Sequence, residues 1–208
     1  MRRRRRDAGW GIVSPARRNR SSKRSSIVFL DRDGTLIEEG DYLRDPRQVK
    51  VIPGAAGALR RLGRAGFPLV VLSNQSGVGR GLITARQLRA VRKRFEDLFR
   101  RRGIRFDGYY WCPHAPGDRC DCRKPKLGLV KRAARNLGRP WRRHVSIGDR
   151  RSDVQIGQRT GGLGILVTTG YGKSWRGRLG RVRPDAIVPD IGRAASWILR
   201  RHKKGIVG

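Results

Sequence analysis

The sequence lacks any apolar run of about 18 residues, so no segment qualifies as a transmembrane helix. Cysteine is scarce, with three among 208 residues, which argues against the disulfide framework of a small secreted protein. Acidic residues are also few: 16 Asp and Glu stand against 50 Lys and Arg, a formal net charge of +34. An apolar share of 37% is nevertheless too high for a wholly disordered chain. We expect one folded, cytoplasmic domain without a membrane partner, and a monomer.

The positive charge is spread along the chain rather than concentrated in one tail. Residues 27–180 alone hold 33 basic and 13 acidic residues. No basic stripe alternates with aromatic residues, so nucleic acid stays open as a partner but is not favoured. Composition divides the chain into a disordered basic leader over residues 1–25, a domain over 26–200 and a basic C-terminal tail over 201–208.

Short apolar runs alternate with segments of helical periodicity from residue 26 onward. Strands are predicted over residues 27–30, 67–72, 109–111, 144–147, 163–167 and 186–188. Helices are predicted after residues 53–54, over 84–102, 127–137 and 152–160, and after the last strand through 199. This order predicts an α/β fold with a doubly wound, mainly parallel sheet. Ligands of such sheets bind at the carboxyl ends of the strands.

Acidic residues stand at two of those strand ends. Residues 31–35 read Asp-Arg-Asp-Gly-Thr directly after the first strand, which places Asp31 and Asp33 on the same side. One carboxylate can attack as a nucleophile while the other transfers a proton. Asp149 follows the fourth strand, where it can share a hard cation with Asp31. An Asx turn after a strand is the alternative interpretation of the first motif.

Groups that bind phosphoryl oxygens stand at the other strand ends. Ser73 opens the segment Ser-Asn-Gln-Ser-Gly after the second strand, and Arg123 and Lys124 lie in a later loop. Each signal is weak alone, because polar turns are common and this chain is rich in cations.

The cysteines form a compact pattern with one histidine. The pattern is Cys-x-His, five residues, then Cys-x-Cys, and it uses Cys112, His114, Cys120 and Cys122. Three thiols and one imidazole match a closed tetrahedral zinc site, which predicts a structural Zn²⁺ that orders the loop before Lys124. Three free thiols beside a coincidental histidine are the alternative.

Taken together, these motifs resemble the haloacid dehalogenase (HAD) superfamily of phosphohydrolases over about residues 26–172. The resemblance implies that Asp31 is the nucleophile that forms an aspartyl-phosphate and that Asp33 is the general acid and base. It implies that Ser73 and Lys124 hold the phosphoryl oxygens. It also implies that Asp31, the backbone carbonyl of Asp33 and Asp149 bind Mg²⁺. Too few residues separate Thr35 from the first helix for a large cap domain, so we expect an open site with a small zinc-bound loop.

Within the superfamily, the cysteine loop resembles two groups: the D-glycero-D-manno-heptose 1,7-bisphosphate 7-phosphatases and the histidinol-phosphate phosphatases. The heptose group is favoured, because a sugar bisphosphate offers a second phosphate to Arg123 and Arg150. Arg150 itself departs from the heptose pattern, in which a lysine usually follows the metal-binding aspartate. The resemblance implies these substrate-binding residues: Glu39, Gly40, Asp41, Tyr42, Asn74, Gln75, Ser76, Arg123 and Arg150. A nucleic-acid 3′-phosphatase and a nonenzymatic protein that binds polyanions stay open as alternatives of another class.

Overall fold

The computed structural model describes residues 26–205 and residue 207. Six strands form one parallel sheet in the order β3-β2-β1-β4-β5-β6. The strands are β1 (Val28–Leu30), β2 (Leu69–Asn74), β3 (Gly108–Cys112), β4 (Val145–Gly148), β5 (Leu163–Val167) and β6 (Ala186–Val188). The helices are α1 (Ala55–Arg64), α2 (Ser76–Gly79), α3 (Ala85–Arg100), α4 (Gly128–Asn136), α5 (Arg151–Arg159), α6 (Gly172–Arg176) and α7 (Ile191–Lys203). The prediction of a doubly wound parallel sheet is confirmed.

Helices cover both faces of the sheet, which explains why the strands are continuous apolar runs. Along β1, Val28 and Leu30 join the larger core on the face of α1, α3 and α7. Ile27 and Phe29 point to the opposite face and pack in a second cluster with α4. The chain builds outward from β1 to β3 on one side and from β4 to β6 on the other. The crevice between β1 and β4 is therefore the switch point at which such sheets bind ligands.

Most element boundaries agree with the sequence prediction within two residues. The capping box that begins α3 is present: the Gln87 amide donates to Thr84 Oγ1 at 3.1 Å, and the Thr84 amide donates to Gln87 Oε1 at 2.9 Å. The short helices α2 and α6 were not predicted. Each has only four or five residues and contains glycine, so neither has a periodic apolar face.

The C-terminal boundary differs from the expected one. Residue 200 falls inside α7, which continues to Lys203. His202 Nδ1 lies 2.6 Å from the Val207 carbonyl oxygen, and Val207 is buried against the larger core. A basic tail was expected because residues 201–204 are rich in cations, and composition does not reveal that Val207 packs against the core. The expected leader over residues 1–25 lies outside the described residues.

The connections between strands leave the crevice open. Among residues 26–205, none forms a separate cap domain above the sheet. In the same part of the chain, no helix has the length and apolar character to cross a membrane.

Candidate active site

Two buried carboxylates meet at the switch point. Asp31 follows β1 and Asp149 follows β4, and these strands pair directly with Leu30 opposite Ile147. Carboxylate oxygens of Asp31, Asp149 and Asp153 lie within 4.8 Å of one another. Burial, followed by repulsion from Asp31 and Asp153, raises the pKa of Asp149 to about 8. The sheet therefore concentrates negative charge where no solvent screens it.

Lys124 lies between two of these acids. Its Nζ is 2.8 Å from Asp31 Oδ1 and 2.7 Å from Asp153 Oδ1, and it donates to the Leu72 carbonyl at 2.7 Å. Burial alone would lower the pKa of this ammonium, but the two carboxylates outweigh it and the pKa is raised. Lys124 therefore stays charged in a site that is almost closed to water.

The oxygens that remain free fit a hard divalent cation. Asp149 Oδ2 accepts a hydrogen bond from the Tyr171 amide at 2.8 Å. Asp149 Oδ1 is buried and has no hydrogen-bond partner among the described residues. Asp31 accepts the Arg32 amide on Oδ1, the same oxygen that faces Lys124, which leaves its Oδ2 available. Carboxylate oxygens are the ligands that Mg²⁺ prefers, so Asp31 and Asp149 fit this ion.

A glycine makes room for this arrangement. Gly34 has a φ of +72°, and a Cβ added there would lie 2.2 Å from Asp149 Oδ2. Any side chain at this position would clash with the carboxylate and strain the backbone. The turn after Asp33 therefore needs glycine for both reasons.

Asp33 lies in a hydrogen-bond network with β2. Its Oδ2 accepts from Gln75 Nε2 at 2.8 Å, and the same nitrogen donates to Ser73 Oγ at 2.7 Å. Because Gln75 fills an acceptor position of the Ser73 hydroxyl, the hydroxyl proton is free to donate elsewhere. Asp33 Oδ1 accepts from the Arg32 guanidinium, with Nε at 2.9 Å.

The expected substrate residues line one pocket of about 570 Å³. Its lining includes all nine of them together with Asp31, Asp33, Ser73 and Lys124; Asp149 lies behind this surface. The Arg150 guanidinium lies 4.2 Å from the centre of the Tyr171 ring and 3.4 Å from Glu39 Oε2. Burial, followed by repulsion from Asp33, raises the pKa of Glu39 to about 7.

Two of the expected substrate residues also support the loop that carries Lys124. Asn74 accepts from the Lys124 amide at 2.9 Å and donates to its carbonyl at 3.2 Å. Arg123 donates to the His114 carbonyl at 3.3 Å. Asn74 is thus tied to the backbone on both sides of its amide group, which leaves it little freedom to reorient toward a ligand.

The cysteine pattern converges in space. Cys112 Sγ lies 3.8 Å from Cys120 Sγ and 3.5 Å from His114 Nδ1. Cys122 Sγ lies 3.2 Å from Cys112 Sγ and 3.2 Å from His114 Nδ1. A tetrahedral zinc with bonds of about 2.3 Å to sulfur and about 2.0 Å to nitrogen separates its ligands by about 3.5–3.8 Å. The thiols are not disulfide-bonded. Burial raises the pKa of Cys112, a cost that coordination of a metal would remove.

Several pocket residues were not predicted as site residues. They are Arg32, Leu43, Gly77, Arg80, Pro116, Arg151, Ser152, Gln155, Tyr171 and Trp175. Arg80 donates to the Tyr42 hydroxyl at 2.8 Å, and the Tyr171 hydroxyl contacts Asp41 Oδ1 at 3.3 Å. The Tyr171 segment follows β5, so its position at a strand end was the signal that could have identified it.

Comparison with known proteins agrees with this geometry. A family model described as HAD-hydrolase-like matches residues 121–194. The chain is 32% identical over 178 residues to the D-glycero-beta-D-manno-heptose-1,7-bisphosphate 7-phosphatase of Pseudomonas aeruginosa, covering 84% of this chain and 98% of that protein. It is also 32% identical over 186 residues to the Escherichia coli K12 protein of the same name, covering 86% and 90%.

A solved structure shares the fold over nearly its whole length. It is the D,D-heptose 1,7-bisphosphate phosphatase from B. bronchiseptica, complexed with magnesium and phosphate. The TM-score is 0.77 at 30% identity, and the match covers 85% of this chain and 99% of that one.

Proposed function

The chain belongs to the HAD-like hydrolases, in the family of the D-glycero-beta-D-manno-heptose-1,7-bisphosphate 7-phosphatases, and we propose that it removes the 7-phosphate of that sugar bisphosphate. The observation that carries the proposal is the buried pair of Asp31 and Asp149, each with an oxygen free, beside the charged Lys124. The carboxylates repel an incoming phosphate dianion, and Lys124 alone does not offset them. The site can therefore accept a phosphoryl group only if further positive charge is bound there. Asp31 and Asp149, together with the backbone carbonyl of Asp33, would hold a Mg²⁺ ion, which would supply that charge.

In the first step, the Asp31 carboxylate attacks phosphorus and the bond from phosphorus to the sugar oxygen breaks. Asp33 gives its proton to the departing oxygen, so the sugar leaves as an alcohol and the phosphoryl group stays on Asp31 as an acylphosphate. In the second step, Asp33 removes a proton from water as the water oxygen attacks phosphorus. The bond from phosphorus to the Asp31 oxygen breaks, which releases inorganic phosphate and restores the Asp31 carboxylate. Lys124 Nζ and the Ser73 hydroxyl donate to the phosphoryl oxygens in both steps.

The pocket rim supports a substrate with two phosphates. Besides Lys124, which would bind the reacting phosphoryl group, the cations that line the pocket include Arg80, Arg123 and Arg150. A guanidinium binds phosphate through paired hydrogen bonds. Histidinol phosphate has one phosphate and a cationic amine, so it would bring no second phosphate to these rim cations. The bisphosphate is therefore the better match in charge.

We propose that Cys112, His114, Cys120 and Cys122 hold a structural Zn²⁺. Four protein ligands fill a tetrahedral shell, so water has no open position on the metal. Its role would be to fix the loop that leads into Arg123 and Lys124. Thiols kept for zinc favour a reducing compartment, so we propose a cytoplasmic location. We also propose that the enzyme acts as a monomer, because the described residues bring Asp31, Asp33, Ser73 and Lys124 together in one pocket.

The test is a comparison of kcat/KM for heptose 1,7-bisphosphate, histidinol phosphate and a 3′-phosphorylated oligonucleotide. We expect the heptose bisphosphate to be hydrolysed fastest and Asp31→Asn to reduce the rate at least about 10³-fold. Asp97→Asn makes the same chemical change on α3, outside the pocket, and should leave the rate unaltered. Equal, slow rates on all three substrates would overturn the substrate assignment. Undiminished turnover by Asp31→Asn would overturn the mechanism.

A further inference from the structure

A buried arginine holds the carboxylate proposed as general acid and base. Arg32 is 1% exposed although it stands between the two acids of the first motif. Its Nε and Nη2 atoms contact Asp33 Oδ1 at 2.9 Å and 2.8 Å. A buried guanidinium is costly unless its donors are paired, so this contact constrains Arg32 as well as Asp33.

A second contact prevents the guanidinium from rotating. Arg32 Nη1 donates to the Tyr109 hydroxyl at 3.1 Å, and Tyr109 on β3 is itself 1% exposed. The other buried arginine of this region, Arg92, lies 5.2 Å from the centre of the same ring and pairs with Glu96 at 2.9 Å. Tyr109 lies on β3, which is separated from β1 by β2. Its hydrogen bond therefore fixes the orientation of the Arg32 guanidinium toward Asp33.

The two oxygens of Asp33 are made unequal by this arrangement. A guanidinium only donates hydrogen bonds, so Oδ1, which faces two of its N–H groups, has no room for a proton. Oδ2 accepts one bond from Gln75, and both Asp33 and Gln75 line the pocket. Oδ2 is therefore the oxygen on which a proton can reside next to the substrate.

We propose that Arg32, anchored by Tyr109, is a positioning residue that restricts proton exchange by Asp33 to Oδ2. This inference rests on the proposed phosphatase function. In the first step the Oδ2 proton passes to the departing oxygen as its bond to phosphorus breaks. In the second step a water proton returns to Oδ2 as the water oxygen bonds to phosphorus. Loss of Arg32 frees the carboxyl group to rotate, so the proton is misplaced in both steps.

The test measures how kcat/KM depends on the leaving group. A nitrophenolate departs as a stable anion, whereas an alkoxide needs a proton, so proton transfer in the first step matters only for alkyl phosphates. Because kcat/KM reports the steps up to release of the leaving group, the second step does not enter this comparison. For Arg32→Gln we expect a loss of at least about 10²-fold on alkyl phosphates, including the sugar bisphosphate, and less than about threefold on nitrophenyl phosphate. Tyr109→Phe should give the same pattern with a smaller loss, and Arg32→Lys should recover part of the alkyl activity.

The matched control is Arg92→Gln. It removes a second buried arginine from beside the same tyrosine ring but leaves Asp33 untouched, so its leaving-group dependence should equal that of the wild type. Equal losses on both kinds of substrate for Arg32→Gln, as a general loosening of the site would produce, would overturn the inference. If Arg32→Gln does not fold, Tyr109→Phe decides: wild-type dependence on the leaving group overturns it. A wild-type protein without Asp31-dependent phosphate release would instead refute the proposed function.

Discussion

Replacing Asp149 with asparagine should stabilise the metal-free protein while it abolishes the response to magnesium. Asp149 is fully buried, and its pKa is raised to about 8 by burial and by the neighbouring Asp31 and Asp153. Asparagine has the same shape and can still accept the Tyr171 amide. Its NH₂ group would take the place of Asp149 Oδ1, which has no hydrogen-bond partner among the described residues, and could donate to the neighbouring carboxylates. The substitution therefore removes a buried ionisable group without opening a cavity.

The sign and size of the effect follow from proton linkage. Between the ordinary pKa of 3.8 and about 8, the folded protein holds a proton on Asp149 that the unfolded chain has lost. Stability of the wild type therefore falls as pH rises through this window, by up to about 1.4 kcal/mol per pH unit. Asparagine has no such dependence. Near neutral pH we expect the variant to gain at least about 2 kcal/mol, or about 4–8 °C in Tm for a domain of this size.

The assay is thermal unfolding in a chelator and in excess Mg²⁺, at about pH 5.5 and about pH 7.5. In chelator, the advantage of Asp149→Asn should grow with pH, and added Mg²⁺ should raise the Tm of the wild type alone. Asp97→Asn on α3 lies outside the site and serves as the control; its Tm should respond to pH and to Mg²⁺ as that of the wild type does. The reasoning is refuted if Asp149→Asn is no more stable than the wild type in chelator at the higher pH.

Three further substitutions probe separate parts of the fold. Lys124→Met leaves Asp31 and Asp153 buried without their cation. We expect the free energy of unfolding in urea to fall by about 3–5 kcal/mol and the rate of phosphate release to fall at least about 10³-fold. Wild-type stability would contradict this. Cys122→Ser should bind less than the one equivalent of zinc expected for the wild type, as measured by elemental analysis, and should have a lower Tm. An unchanged zinc content would refute the proposed ligands. Thr84→Ala removes the cap of α3 and should cost about 1 kcal/mol in urea unfolding with unchanged phosphate release, whereas lost activity would contradict a purely structural role.

The parallel sheet was predictable because β1 to β5 are largely buried on both faces and are therefore apolar runs. The segment over residues 163–167 shows this most clearly, since its predicted and observed bounds coincide. The helices α2 and α6 were not predictable in this way. Gly79 in α2 is held by a hydrogen bond from its amide to the Pro113 carbonyl at 2.8 Å, a contact between distant segments that no local pattern records.

The candidate site was predictable to the extent that its residues follow strands. Asp31 and Asp149 come after strands that are neighbours in the sheet, so a correct topology brings them together. The contact between Arg32 and Tyr109 is different in kind. It spans 77 positions and depends on β3 lying beside β2 with one register, which periodicity alone does not specify. Sequence patterns thus predict which strand ends meet, whereas the pairing of buried charges requires the coordinates.

The distribution of buried charge explains why so basic a protein would still use a metal ion. Four acids surround the switch point, and two buried cations serve three of them: Lys124 pairs with Asp31 and Asp153, and Arg32 pairs with Asp33.

Among the described residues, Asp149 has no such partner; its only cationic neighbour is the part-exposed Arg150, with Nε 3.9 Å from Oδ1. The remaining surface charge of the chain cannot substitute, because water and salt screen exposed cations beyond about 8–10 Å. A divalent ion at Asp149 would balance this acid and leave positive charge for an incoming phosphate dianion. Magnesium and substrate should therefore bind with positive coupling, which makes phosphate affinity measured with and without the metal a direct test of this balance.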